Sequence, residues 1–403
     1  MGIEMTDLED VKDIAGAAGK PQFSGKWVRL GDICNVRSGG TPKRSVSEYW
    51  DQGTIPWVKI GDISGKYIFT TEECISEVGL NNSAAKLFQP GTLLFSIFAS
   101  IGAVGILTVP AATNQAIAGL EITSKTIDRD YLFYFLKSSE MGAKQSGRGV
   151  AQNNINLSIL RDMKVPVPSL AEQSAIAREF EGIDCQIDAA NNQLSSLEAL
   201  VKSRFIEIFG DCRLARQDQG WKRIGNIGEV LGGATPKTQV EEYWGGGLPW
   251  LTPAEIGDSI YVNATSRTLT SEGVRSCSLS KLPAGTVLLS SRAPIGKVAI
   301  AGTDMYCNQG FKNIVCGDSV LPRYLYSLLK FNSDYLNSLG RGATFTEISK
   351  RIVEDIKIPV PAVELQLQFE CFAQQVDKLR FDVQQQIDKL ELLKNSLMQE
   401  YFG

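Results

Sequence analysis

The sequence predicts an α+β protein built as an internal tandem repeat. Two β-rich, mixed globular domains are each followed by one long helix, and the two long helices pair as a coiled coil. Three observations predict this. Residues 169–209 carry small or apolar side chains at Ile176, Phe180, Ile183, Ile187, Ala190, Leu194, Leu197 and Val201, in steps of four and three that make a heptad seam. The flanks of that stretch recur at an offset of 193, Val165-Pro166-Val167-Pro168 as Ile358-Pro359-Val360-Pro361 and Phe209-Gly210 as Phe402-Gly403. Between the two stretches, short β-branched and aromatic runs separated by Gly, Pro, Asn and Asp read as strands and turns.

Taken in order, the chain divides at 1–25, 26–168, 169–210, 211–361 and 362–403. Residues 1–25 are an acidic segment in which 6–17 could make three helical turns before Gly19-Lys20-Pro21 breaks them. The first globular domain opens on Trp27-Val28-Arg29-Leu30-Gly31-Asp32-Ile33 and the second on Trp221-Lys222-Arg223-Ile224-Gly225-Asn226-Ile227. Correspondences continue through both. Gly40-Thr41-Pro42-Lys43 meets Ala234-Thr235-Pro236-Lys237, Glu48-Tyr49-Trp50 meets Glu242-Tyr243-Trp244, and Pro56-Trp57 meets Pro249-Trp250. Gly61-Asp62 meets Gly257-Asp258, Asn114-Gln115 meets Asn308-Gln309, and Gly147-Arg148-Gly149 meets Gly340-Arg341-Gly342. A repeat of this length is a tandem duplication.

Within each domain, 130–138 and 322–329 read as amphipathic helices, and 156–163 and 347–356 as short helices before the long one. The most apolar run, 93–109, is short and rich in Gly and Ser for a membrane span. Its counterpart 287–300 carries Arg292 and Lys297, so a buried strand pair is the better reading. The first long helix starts after Pro166 and Pro168, with Ser169 as N-cap, Glu172 at capping-box spacing and Gly210 as the stop. In the second, 362–402, a seam is expected at Phe369, Phe372, Val376, Leu379, Val383, Leu390, Leu393 and Leu397, with Gln386 filling one slot. A seam needs a partner, and the nearest is the other long helix. Packing of each helix on its own domain is the plainer alternative.

Composition narrows the function. The chain has no histidine, which removes imidazole-activated nucleophiles and imidazole metal ligands. No phosphate-binding P-loop or dinucleotide fingerprint occurs. None of the eight cysteines forms a CxxC pair and none keeps its place in both repeats, which argues against a zinc site or a disulfide framework and fits a reducing cytoplasm. Net charge is −4, but it divides unevenly. Residues 27–168 hold 14 Lys/Arg against 12 Asp/Glu and 221–361 hold 15 against 12, while 169–210 hold 3 against 7 and 362–403 hold 4 against 7. The globular domains carry a small positive excess, which permits phosphate contact without demanding it.

The Trp-x-x-x-x-Gly-Asp-Ile opening, the Gly-x-Thr-Pro loop, the Val-Pro-x-Pro then Glu-Gln lead into a long helix, and the duplication together resemble the specificity subunit of a type I restriction–modification enzyme. The resemblance covers nearly the whole chain beyond residue 25. The second copy departs at Asn226, and at Leu365-Gln366 in place of Glu172-Gln173. The resemblance implies a non-catalytic chain with two target recognition domains, each reading half of a split, asymmetric sequence in double-stranded DNA. Antiparallel helices would hold the domains apart with approximate two-fold symmetry and bind two methyltransferase subunits. Those subunits carry S-adenosylmethionine, this chain binds no cofactor or metal, and a restriction/translocase subunit joins for cleavage. A helix of 41 residues is about 60 Å long, more than one turn of B-DNA at about 34–36 Å.

Loops carry recognition more often than core strands. Thr41, Lys43 and Arg44 in the first Thr-Pro loop, and Thr235 and Lys237 in the second, suit backbone approach to phosphate. An ordinary hairpin turn with solvated lysines is the alternative. Arg148 and Arg341 lie between glycines just before a helix, a setting for phosphate contact, or for an ion pair with a carboxylate of the long helices. Gln152 and Asn153 could read adenine edges and become Thr344 and Phe345 in the second copy. Two readers of different half-sites should differ where the copies differ, which also selects Ser96 and Phe98 against Ser290 and Arg292. Arg292 could address guanine or make a structural ion pair. Trp50, Trp57, Trp244 and Trp250 are shared and read as core. Two other classes stay open: a stand-alone nuclease, disfavoured by the missing histidine and the lack of a repeated carboxylate cluster, and a coiled-coil adaptor linking proteins without DNA.

Overall fold

In the first domain, a five-stranded sheet runs in the order Cys34–Ser38, Ile117–Ile122, Leu93–Ser96, Val104–Leu107, Tyr67–Ile68. In the second, Gly228–Gly232, Lys312–Cys316, Val287–Leu289, Val298–Ala301 and Tyr261–Val262 repeat that order. In both, the last strand is parallel to its neighbour and the others are antiparallel. A computed structural model describes residues 26–98, 101–145, 155–216, 218, 220–257, 259–292, 294–340 and 347–403. Residues 1–25, with the helix expected at 6–17, lie outside them.

The apolar run of the first domain resolves into the expected strand pair. Leu93, Leu94 and Phe95 face Ile106, Gly105 and Val104, and both strands are buried throughout, as a sheet covered on both faces requires. A smaller sheet holds Glu73–Ile75, Ile55–Val58, Ala111–Thr113 and Leu87–Phe88; its counterpart holds Arg267–Leu269, Trp244–Leu251 and Tyr306–Cys307. Each domain closes with a two-stranded ladder, Lys26–Arg29 on Lys164–Val167 and Lys222–Arg223 on Lys357–Ile358. The amphipathic helices form at Arg129–Gln145 and Pro322–Phe331, and the short ones at Leu157–Asp162 and Lys350–Asp355, capped by Asn156 and Ser349.

One expected correspondence shifts. Asp62 accepts the Lys59 and Glu72 amides at 2.7 and 3.1 Å. The residue that does this in the second domain is Glu255, accepting from Thr252 and Ser266 at 2.8 and 2.7 Å. Gly61-Asp62 therefore matches Ala254-Glu255, and not Gly257-Asp258, which the Gly-Asp spelling suggests.

The long helices span Leu170–Phe209 and Val363–Phe402, each of 40 residues and about 60 Å. Ser169 and Glu172 form the capping box: the Ser169 amide donates to Glu172 at 2.8 Å and the Glu172 amide to the Ser169 hydroxyl at 3.3 Å. Gly210 stops the helix at φ +74°, where glycine is favoured. Among the described residues no helix is long and apolar enough to cross a membrane.

Packing divides the chain into two units. One ends at Ala190 and takes in Gln386–Gly403; the other is Asn191–Gln385. In the first unit Phe180 is fully buried. Its ring stacks on Tyr134 of the domain at 4.9 Å and on Phe402 of the C-terminal helix at 5.9 Å. Glu179 accepts from Tyr401 at 2.9 Å and Asp184 from Lys394, so the two helical segments run antiparallel there. In the second unit Phe205 stacks on Tyr324 at 5.6 Å and meets Phe369 edge-on at 5.2 Å. Helix-on-helix and helix-on-domain packing therefore share the same aromatic residues.

The seam of the central helix matches expectation: Phe180, Ile183, Ala190, Leu197 and Val201 are buried, and Ile176, Ile187 and Leu194 half-buried. The C-terminal seam matches in part: Phe369, Val376 and Val383 are buried and Phe372, Leu390, Leu393 and Leu397 half-buried. Leu379 is 51% exposed. The inward positions are Phe369, Ala373, Val376, Val383, Ile387 and half-buried Leu390, with the half-buried cations Arg380 and Lys394 at two steps of the same stripe. Choosing the larger side chains Phe372, Leu379 and Leu393 moved alternate steps of the expected stripe by one residue.

Each long helix is fixed to its domain by a fully buried glutamine near its start. Gln173 accepts the Asp128 amide at 2.8 Å and donates to the Thr126 and Pro168 carbonyls at 2.9 and 2.8 Å. Gln366 accepts the Leu321 amide at 2.8 Å and donates to Ser319 and Pro361 at 3.0 and 2.9 Å. All three partners are backbone groups, so truncation leaves an amide and two carbonyls unpaired. Gln173→Ala is expected to lower unfolding stability by about 2–3 kcal/mol, read as the shift of the urea midpoint of the full chain; a loss under about 0.5 kcal/mol would show that the clamp is energetically idle.

Candidate nucleic-acid interface

The Thr-Pro loop begins where the chain must pass close to its own backbone. A Cβ on Gly39 would lie 2.0 Å from the Thr113 hydroxyl oxygen, and one on Gly40 would lie 2.4 Å from the Ala84 carbonyl carbon. The loop is then held by paired contacts that recur in the second domain. Thr41 donates to Gln115 Oε1 at 2.5 Å and Thr235 to Gln309 Oε1 at 2.6 Å, which gives the repeated Asn-Gln pair a structural role. The indole of Trp57 donates to the Gly40 carbonyl at 3.1 Å, and that of Trp250 to Ala234 at 3.1 Å. Trp50 donates to the Lys43 carbonyl at 3.2 Å and Trp244 to Lys237 at 3.4 Å.

Trp57 and Trp250 are core, each 3% exposed. Trp50 and Trp244 stand edge-on to them, with ring centroids 5.0 Å apart in both domains, and remain half-buried. An arginine covers each outer ring, and it comes from different places. In the first domain Arg44, next in the loop, lies 3.7 Å from the Trp50 ring centroid. It also pairs with Glu73 at 2.5 Å, and Glu73 takes Lys59 at 2.8 Å. Hydrogen bonds from Arg44 and Lys59 hold the Glu73 carboxyl below its usual range. In the second domain Thr238 stands where Arg44 did, and the stacked cation is Arg267, 3.6 Å from the Trp244 centroid. Arg267 sits opposite Trp250 in the strand register, as Glu73 sits opposite Trp57.

The other candidates fall into three groups. Ser96 is fully buried and its hydroxyl accepts the Ala103 amide at 2.8 Å. Its counterpart Ser290 accepts Lys297 at 2.8 Å. Both fasten turns and present no surface to a ligand, so Ser96 is removed from the set of DNA contacts. Arg292 pairs with Glu347 at 3.0 Å, and Lys312 reaches the same carboxylate at 3.2 Å. Burial raises the Glu347 carboxyl, but these two cations more than offset that and leave it lowered. The ion-pair alternative for Arg292 is the one formed, while its counterpart Phe98 packs on the core. Arg148, Gln152, Asn153, Arg341 and Thr344 lie outside the described residues. Sequence reasoning missed Arg267, because its counterpart Glu73 has the opposite charge and repeat matching hides such positions.

The profile of the type I restriction modification DNA specificity domain matches residues 25–199 and again 218–393. The chain belongs to this family and carries two copies of its domain. It is similar to the type I restriction enzyme MjaIX specificity subunit of Methanocaldococcus jannaschii, 38% identical over 209 residues, which are 50% of this chain and 48% of that protein. That match thus spans about half of the relative's length. The putative type I restriction enzyme MjaX specificity subunit of the same organism is 26% identical over 399 residues, 92% of this chain and 90% of the relative. The crystal structure of the type I restriction–modification system S subunit from M. genitalium superposes with a TM-score of 0.53 at 15% identity, covering 96% of this chain and 98% of that one, and so shares its fold.

Proposed function

We propose that this chain is the DNA sequence-specificity subunit of a type I restriction–modification complex. Each globular domain reads one half of a bipartite, asymmetric target in double-stranded DNA. The observation that carries this reading is the pair of loop platforms, alike in scaffold and different in charge: Thr-Pro loop, Asn-Gln tie and tryptophan pair recur, while the source of the stacked arginine changes and its carboxylate partner does not recur. Shared elements build the platform, and the differing side chains on it give two domains two half-sites.

The chain itself is non-catalytic. Two methyltransferase subunits carry S-adenosylmethionine and the adenine chemistry, restriction/translocase subunits supply cleavage, and the long helices are the scaffold for assembly. A cytoplasmic location fits these partners. Lys43 and Lys237 are exposed on the platforms and suit phosphate contacts that set register, leaving base reading to the loops that differ.

Methylome sequencing of a host expressing this chain with its methyltransferase subunits is expected to reveal one new motif with two unlike halves around a fixed spacer. A continuous motif, or none in a host where the subunits assemble, would refute the two-reader function.

A further inference from the structure

The two platforms differ in their charge balance. In the first, Arg44 and Lys59 both bond Glu73, and Lys59 also bonds Glu72 at 2.5 Å. The stacked guanidinium there is neutralised before any ligand arrives. In the second, the carboxylate position is itself the arginine. Among the described residues no carboxylate pairs with Arg267, whose side chain is exposed and lies against Trp244 and, at 5.5 Å, Trp250. A guanidinium held flat on an indole loses rotamer freedom before binding, and its donors point around the ring edge instead of into a counter-ion. Lys237, whose backbone carbonyl accepts from the same indole, is exposed in the adjoining loop and adds a second positive charge to the platform.

We infer that Arg267 is a DNA phosphate contact of the second domain alone, presented by Trp244, and that the first domain has no equivalent because Glu73 occupies Arg44. This rests on the reading of both domains as DNA readers. It makes the two halves of the target unequal. The second half-site releases one more counterion than its platform scaffold alone would imply, and binding there depends more steeply on salt.

The test uses the full chain assembled with its methyltransferase subunits and a duplex carrying the motif read from the methylome, with affinity measured across a salt series. Arg267→Gln is expected to reduce the slope of log affinity against log salt by about 0.9, the value of one phosphate contact. Arg267 also supports Trp244, so a second variant separates charge from packing. Thr238→Arg with Arg267→Glu rebuilds the first domain's neutral pair over Trp244, keeping a stacked guanidinium while removing the net charge. It is expected to assemble with an unfolding temperature close to that of the unaltered complex and to show the same reduced slope. A double variant that binds with the unaltered slope overturns the proposal, whatever Arg267→Gln does. Salt-independent binding by the unaltered complex would instead overturn the DNA reading itself.

Discussion

Replacing residues 221–361 with the matching part of a relative is expected to change one half of the methylated motif completely and leave the other half and the methylation chemistry intact. The boundaries suit the exchange. They keep together the two strands that close the second domain, Lys222–Arg223 and Lys357–Ile358, and leave both long helices in place. The loop platform of the second domain, with Lys237, Trp244 and Arg267, travels as a block. The readout is the motif in cells expressing each chimera. A chimera in which both halves change together would show that the domains do not read independently. One with the original motif would place recognition outside the exchanged region.

The second large effect sits at the seam of that exchange. Arg323 is 2% exposed and donates to Asp377 of the C-terminal helix at 3.0 Å. Burial raises the Asp377 carboxyl above its ordinary value even against the Arg323 charge, so the attraction does not fully offset the loss of water. With a raised folded pKa, the group's stabilising contribution is complete below the ordinary carboxylate range and is lost as pH climbs through the raised value. Removing one partner is worse than having both. Asp377→Ala is expected to cost about 3 kcal/mol, because Arg323 is left charged and buried. The pair Arg323→Met with Asp377→Leu is expected to lie within about 1 kcal/mol of the unaltered chain or above it. Urea unfolding of both variants checks this; equal losses in the two would mean that the cost comes from lost packing and not from an orphaned charge. A chimera that alters residue 323 carries the same penalty, so Asp377 must be changed with it.

The first domain meets the same mechanical need with other residues. Asp130 stands at the position of Arg323, and Lys66 joins it at 2.9 Å and reaches Glu181 of the central helix at 2.5 Å. The residue at this position changes sign between the copies, Asp130 against Arg323, yet in both the domain presents a cation to a carboxylate of its long helix. Charge reversal of this kind leaves repeat spacing intact and is invisible to residue matching, which is also why Arg267 escaped notice.

What the sequence made legible was whatever a single local rule controls. The capping box at Ser169, the stop at Gly210, the strand pair within 93–109 and the short helices after Asn156 and Ser349 each follow from a few adjacent residues. The C-terminal seam slipped at alternate steps, most plainly at exposed Leu379, because side-chain size was weighed above phase. Carrying the central seam forward by 193 residues leads from Ile176, Phe180, Ile183, Ile187 and Ala190 to Phe369, Ala373, Val376, Arg380 and Val383, which is the observed stripe. The duplication held the answer that hydrophobicity obscured. At the interface, the loop scaffold was visible as a repeated motif, but the fates of Arg44, Ser96 and Arg292 depend on Glu73, Ala103 and Glu347, partners set by the fold and not by neighbouring sequence.

The glutamine clamps have a consequence for how such a chain changes over generations. Gln173 and Gln366 grip only amides and carbonyls, and Tyr131 and Tyr324 likewise donate to the carbonyls of Pro166 and Pro359, at 2.8 and 3.0 Å. These hydrogen bonds feel only main chain at their far ends, although the joint as a whole also needs the domain aromatics Tyr134 and Tyr324 against Phe180 and Phe205. Genes could therefore recombine on either side of the Pro-x-Pro segments and inherit these hydrogen bonds at once, with the aromatic contacts and the charge pair beneath them left for later mutation to adjust. New target sequences would then arise by shuffling intact readers, with few adjustments between one specificity and the next.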